Sequence, residues 1–233
     1  MAVLGTPLRH VTAFSLGTRH REGVADVLRA LFIGSLDVFD DAIAEFALAP
    51  RSRVCVVATA AAFREPANAI EEISDRLASR EVVVVAEPVV DRTSANDPTV
   101  AAAVEGSDLV VLCDGAPLHA RSVWRHSLLG EVLGRSTLLS VGATGSVLGE
   151  TMIDPRGGAP TTGLGLFRDV VLSVPASAKQ SLRTRGLLGH ETLVELGRRA
   201  MVRYDGHWRV LDERDLVVTR AGAAVALGLG DGQ

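Results

Sequence analysis

Short aliphatic, β-branched runs alternate with helix-like stretches along most of this chain, and that alternation leaves few folds open. The runs are residues 9–16, 53–59, 81–86, 108–113 and 137–141. Near-continuous Val and Leu at this length means strands buried on both faces, as in parallel sheets. Between them, Ile70, Ile73 and Leu77 recur at helical spacing within residues 67–80. Residues 37–48 and 119–133 read the same way. Such βαβ alternation with right-handed crossovers predicts an α/β fold: a doubly wound, mostly parallel sheet with helices on both faces.

The pattern changes after about residue 150. Residues 151–162 read as a polar, glycine-rich loop, tightest at Asp154-Pro155-Arg156-Gly157-Gly158. Residues 164–174 read as a strand and 179–198 as helical. Residues 200–204, 208–211 and 216–220 form a C-terminal antiparallel β addition, with Asp205-Gly206 as the first hairpin turn. One domain over 1–227 and a disordered tail over 228–233 are expected.

Bulk composition excludes several classes. A net charge of −4 gives no electrostatic footprint for nucleic acid. Lys179 is the only lysine, and the arginine excess reads as coding bias rather than phosphate binding. Two cysteines, Cys55 and Cys113, are too few for a disulfide framework or a structural zinc site. No signal-peptide order is visible, and no apolar run reaches the ~18 residues that span a bilayer. The expectation is a cytoplasmic protein with no membrane, cofactor or metal.

Residues 138–150 carry a strand, the turn Gly142-Ala143-Thr144-Gly145-Ser146, and a helix start. Parallel sheets bind ligands at the carboxyl ends of their strands. A nucleophile elbow at such a place needs small residues on either side of the nucleophile, which Gly142, Ala143 and Gly145 supply.

Four segments in order extend this. Residues 54–63 read Val-Cys-Val-Val-Ala-Thr-Ala-Ala-Ala-Phe. Residues 112–121 contain Asp114-Gly115-Ala116-Pro117-Leu118-His119. Residues 139–150 hold the elbow, and residues 152–166 hold Asp154-Pro155-Arg156-Gly157-Gly158 and Gly163-Leu164-Gly165-Leu166. Together they resemble the aspartyl dipeptidase/cyanophycinase family of serine peptidases: its second strand and Thr-Ala-Ala end, its Gly-Gly turn, its Gly-x-Ser-Ala-Gly-Ala elbow, and its Gly-Leu-Gly-Leu segment. The resemblance covers most of residues 50–220. It implies a class I glutamine amidotransferase-like, flavodoxin-like fold, serine-type peptidase chemistry, and a homodimer.

The departures fall on the catalytic positions. Aligned on Gly145, the family's serine position falls on Ala143; sliding by one residue puts Gly142 or Thr144 there. The family's base histidine is replaced, most nearly, by Ala176. The expected first strand ends in Phe14-Ser15-Leu16-Gly17 rather than a glycine cluster. Asp114 stands where a glycine would help form an oxyanion hole. Nucleophile and base must lie within hydrogen-bond reach of each other, so their joint absence points to a degenerate enzyme.

The expected function is binding of a small acidic or peptide-like ligand, or of a protein partner. Asp114, Gly115, Ala143, Thr144 and Arg156 are the expected ligand-binding residues. A rewired hydrolase would instead draw on Thr144, Ser146 or Cys113. Each has a plainer role: Thr144 as a helix cap, Ser146 as a small packing residue, Cys113 as a buried thiol. His119 and His126, seven apart, could share a helix face but read as helix-edge residues. His190 reads as a loop histidine that caps a helix, and His207 as part of a hairpin. Asp154 and Arg156 read as a tight-turn pair or, alternatively, as a carboxylate-holding loop.

Overall fold

The computed structural model describes residues 28–227, so the expected strand at 9–16 and the tail at 228–233 lie outside the described residues. Five strands run parallel: β1 (Arg29–Ile33), β2 (Arg53–Val57), β3 (Val83–Glu87), β4 (Leu109–Leu112) and β5 (Thr137–Val141). Their helices are α1 (Phe39–Ala44), α2 (Pro66–Leu77), α3 (Pro98–Glu105), α4 (Pro117–Trp124) and α5 (Leu128–Leu133). After β5 come β6 (Thr151–Ile153), β7 (Pro160–Thr162), β8 (Val170–Ser173), α6 (Ala178–Leu187) and β9 (Thr192–Leu196). The chain then forms β10 (Met201–Tyr204), β11 (Trp208–Asp212), β12 (Leu216–Arg220) and β13 (Ala223–Ala224).

The main sheet has seven strands in the order β11-β10-β1-β5-β4-β2-β3. It is parallel from β1 to β3, and the β10–β11 hairpin adds antiparallel strands beside β1. Alternate residues enter two cores, as the two-residue period of a strand requires. Phe32, Cys55, Val57, Leu112 and Leu138 pack under Trp124, Leu129 and Leu133 of α4 and α5. Leu31, Ile33, Val56, Val111 and Leu139 pack under Phe39, Ile43, Ile73 and Leu77 of α1 and α2. Helices therefore cover both faces, and the fold is the doubly wound, flavodoxin-like arrangement.

Several local expectations are corrected. The first described strand is β1, and it leaves the sheet through Gly34, where a Cβ would overlap the Gly197 carbonyl. The 119–133 helix is two helices. His126 takes a left-handed φ of 57°. Ser127 then starts α5 by accepting the Gly130 N–H at 3.1 Å. Within 179–198, helix ends at Leu187 and residues 192–196 form β9, buried along its whole length. Only Val170–Ser173 of the 164–174 run is strand. Leu216–Arg220 is an antiparallel strand as expected, and it pairs with β9 in a second sheet ordered β13-β12-β9-β8. Residues 151–162 form the β6–β7 hairpin rather than an unstructured loop.

Candidate functional site

The carboxyl ends of β2, β4 and β5 lie side by side, because the three strands are adjacent and parallel. Each feeds a tight turn. After β2, residues 59–61 make a 3-10 turn leading to Phe63. After β4, Cys113 is buried and Asp114 emerges exposed. These two turns are pressed together: the Ala116 N–H donates to the Ala60 carbonyl at 2.7 Å, and a Cβ on Gly115 would overlap that same carbonyl. The buried Trp124 Nε1–H donates to Thr59 Oγ1 at 3.0 Å, locking α4 onto the β2 turn. A buried bond of this kind contributes about 1 kcal/mol net.

After β5 the chain turns through Gly142 at a φ of +61°. A nucleophile elbow is a strained turn of this kind, placed immediately after its strand. The positive-φ residue of this turn is therefore Gly142, one residue before Ala143. The following segment, Gly142–Leu148, is a 3-10 helix rather than the α-helix start expected.

Asp114 closes the site. Its Oδ1 accepts the Gly115 N–H at 2.8 Å and the Ala143 N–H at 2.9 Å. An oxyanion hole is built from two such amides: the N–H after the nucleophile and one from a neighbouring turn. Here a carboxylate of the chain itself satisfies both. A Cβ on Gly142 would overlap the Asp114 carboxyl carbon and both oxygens. The Asp114 carboxylate thus fills the space beside Gly142 and accepts both amide N–H groups.

The other candidate nucleophiles are tied elsewhere. Thr144 is fully buried, and its hydroxyl donates to the Cys113 carbonyl at 2.8 Å. It does not cap the 3-10 helix, whose N-cap residue is Val141 and which has no side-chain cap. Ser146 is buried, and its hydroxyl donates to the Ala143 carbonyl at 2.8 Å. Burial, with lesser contributions from Asp114 and Glu72, pushes the Cys113 thiol up to about 12. A thiol held protonated is a poor nucleophile.

The histidines are dispersed. His119 sits on α4, its ring 4.7 Å from that of Phe63 and its Nε2 2.7 Å from the Val90 carbonyl. His126 lies in the break between α4 and α5, so the two histidines share no helix face. His190 is exposed between α6 and β9 and caps no helix; Ser177 caps α6. His207 is exposed in the β10–β11 turn. Ala176 lies in the exposed turn after β8, where its N–H donates to Gln180 Oε1 at 2.8 Å. Among the described residues, no group of three metal-ligating side chains converges.

Arg156 is not drawn to this site. Its Nε and Nη2 hold the Asp154 carboxylate at 3.2 and 3.1 Å, which keeps that carboxyl below its ordinary range. Its loop is moored to α6, with Thr184 donating to the Gly158 carbonyl at 2.9 Å and Gln180 to the Pro155 carbonyl at 3.0 Å. Two open grooves of about 460 and 480 Å³ meet at Glu150 and Thr162. Trp124, His126 and Leu164 line the first, Asp169 and His190 the second, and neither includes Asp114 or Gly142. No helix among the described residues is long and apolar enough to cross a membrane.

The positive φ of Gly142 and its close approach to the Asp114 carboxylate are the features the linear pattern did not reveal. Positive φ has no sequence signal beyond glycine itself, and glycine is equally at home in any tight turn.

No protein-family model and no curated protein matches the chain. Solved structures do. A peptidase from an acI-B1 Actinobacterium superposes with a TM-score of 0.69 at 18% identity, over 88% of this chain and 96% of that one. A protein from Listeria monocytogenes EGD-e, titled as a candidate Peptidase E, gives a TM-score of 0.56 at 11% identity, over 83% of this chain and 98% of that one. At these identities the likeness shows the fold: a peptidase-like, flavodoxin-like α/β architecture.

Proposed function

We propose that this chain is a catalytically degenerate member of the peptidase-like fold that works by binding rather than by hydrolysis. One observation carries the reading: the Asp114 carboxylate occupies the elbow apex and accepts both amides that would stabilise an oxyanion. Acyl transfer needs an attacking atom, a base and an electrostatic seat for the oxyanion. Removing one of a coupled nucleophile–base pair costs on the order of 10⁶ in rate. Here Gly142 stands at the apex and Ala176 stands nearest the family's base, while the seat is filled.

Of the two small-ligand classes considered, acidic and peptide-like, electrostatics favours the peptide-like one. An anionic group approaching the two amides would meet a carboxylate already bound to them. A protein partner presenting an extended segment is the same chemistry on a larger scale.

The test combines a fluorophosphonate probe, an iodoacetamide probe and aspartyl dipeptides with the folded protein at neutral pH. The expected result is no stoichiometric label and no dipeptide cleavage. Stoichiometric labelling of Thr144, Ser146 or Cys113, together with turnover, would establish a rewired hydrolase instead.

A further inference from the structure

We infer that the open edge of β3 is an interface at which a second copy of this chain pairs antiparallel, joining two main sheets into one across a two-fold axis. This interface is independent of what the elbow does.

The backbone of the edge supplies donors and acceptors. β3 ends the main sheet, with β2 beside it. The Val83 N–H donates to the Ser52 carbonyl at 2.9 Å, and the Ala58 N–H donates to the Glu87 carbonyl at 3.4 Å. Successive residues of a strand turn their backbone groups to opposite sides. Val84 and Ala86 therefore present N–H and C=O to the open edge, where no described strand or turn meets them. A row of unmet groups of this kind is a template for pairing with another chain.

The side chains do not guard it. Charged residues, prolines and bulges protect natural sheet edges. The opposite edge of the sheet is protected in this way: β11 carries Arg209 and Asp212, each ion-paired, with Asp205 and Arg214. β3 reads Val83-Val84-Val85-Ala86-Glu87, in unbroken register with β2, and Pro88 comes only after its end. Val84 packs on the core beneath α1 and α2. Val83, which is 44% exposed, and Val85 on the other face belong to neither core. Apolar surface is left bare beside the unmet backbone.

Symmetry and charge make a second copy the occupant. A strand that pairs with itself across a two-fold axis must run antiparallel. A register centred on Val85 sets Val84 against the copy's Ala86, so that their outward groups exchange hydrogen bonds. Val85 meets its own counterpart, a β-branched cross-strand pair that covers bare surface. The copy's Glu87 then falls opposite Val83, whose neighbour in the same row is Arg53 of β2. Arg53 and the copy's Glu87 thus share one sheet face, two strand spacings or about 10 Å apart at the backbone, within reach of two long side chains. Neither residue takes part in the ten ion pairs among the described residues. Burial and the neighbouring Asp97 push the Glu87 carboxyl up, so its charged form gains from a guanidinium nearby. A register centred on Val84 would instead bring Glu81 against the copy's Glu87, and like charges placed opposite are destabilising.

Sedimentation velocity of the full chain across the micromolar range tests this, with amide hydrogen exchange on the same samples. The dimer should grow with concentration, and protection of the Val84 and Ala86 amides should grow with it. Ala86 is exposed and its N–H points outward, so Ala86→Pro leaves the β2–β3 pairing intact and should weaken the dimer at least tenfold with an unchanged circular dichroism spectrum. Glu87→Arg should weaken it severalfold, and Arg53→Glu/Glu87→Arg should restore it. A chain that stays monomeric throughout overturns the inference, as does a dimer that Ala86→Pro leaves intact, which would use another face. Protection of Val84 and Ala86 that does not change with concentration overturns it too, giving the edge to another part of the same chain. A double charge variant as weak as Glu87→Arg overturns the Val85-centred pairing.

Discussion

Gly142 and Asp114 share one volume: a side chain on the first would overlap the carboxylate of the second. The two positions can hold one polar side chain between them. Gly142→Ser should therefore destabilise the fold by about 1–3 kcal/mol, from the strain of a non-glycine residue at positive φ and from displacing the Asp114 carboxylate off its two amides. In Asp114→Gly/Gly142→Ser the new side chain gains the vacated space, and part of that loss should return. Backbone strain at positive φ is present in both serine variants and cancels in the double-mutant cycle. Urea unfolding of the four proteins gives the coupling energy. Strictly additive effects would mean that the two side chains do not compete.

The thiols give a pH test. Burial is the main cause that pushes both Cys55 and Cys113 from 9.0 up to about 12. Neither should react with iodoacetamide in the folded protein between pH 7 and 8, and both should react once it is unfolded. The sign for stability follows from proton linkage. Between about pH 9 and 12 the unfolded thiols release protons that the folded ones keep, so stability falls as pH rises through that window. Each thiol contributes a slope of up to about 1.4 kcal/mol per pH unit. Cys113→Ala should flatten the decline, as measured by urea midpoints across the alkaline range.

The extent to which the fold was legible follows from burial. Strands β2, β4 and β5 are buried nearly throughout, so their aliphatic runs stand out without alternation. The β9 strand hid because Glu195 interrupts its run, and a charged residue in a fully buried strand is rare. The break at His126 hid because a left-handed non-glycine residue carries little local signal. At the site, the missing serine was visible as Gly142, Ala143 and Thr144. The carboxylate replacing it was not, because Asp114 and Gly142 lie 28 positions apart in sequence and meet only through the pairing of β4 with β5.

That buried charge supplies the last prediction. Arg185 of α6 reaches Glu195 near the end of β9, with its Nε 2.9 Å from Oε2 and its Nη2 bonded to the same oxygen. The Glu195 side chain is 4% exposed, and its Oε1 has no partner among the described residues. Opposite it on β8 stands the buried Ser173, and the pair itself ties α6 to β9 of the second sheet. Breaking such a pair from one side leaves an uncompensated buried charge, at a cost of about 3–5 kcal/mol. Arg185 is 29% exposed, so Arg185→Met should fall at the low end, about 3 kcal/mol. Arg185→Met/Glu195→Leu removes both charges and should recover most of that loss, because the pair's attraction largely offsets its own desolvation. Thermal and urea unfolding of the single and double variants decide it. A double variant as unstable as the single would show that the pair holds the second sheet together by more than mutual neutralisation.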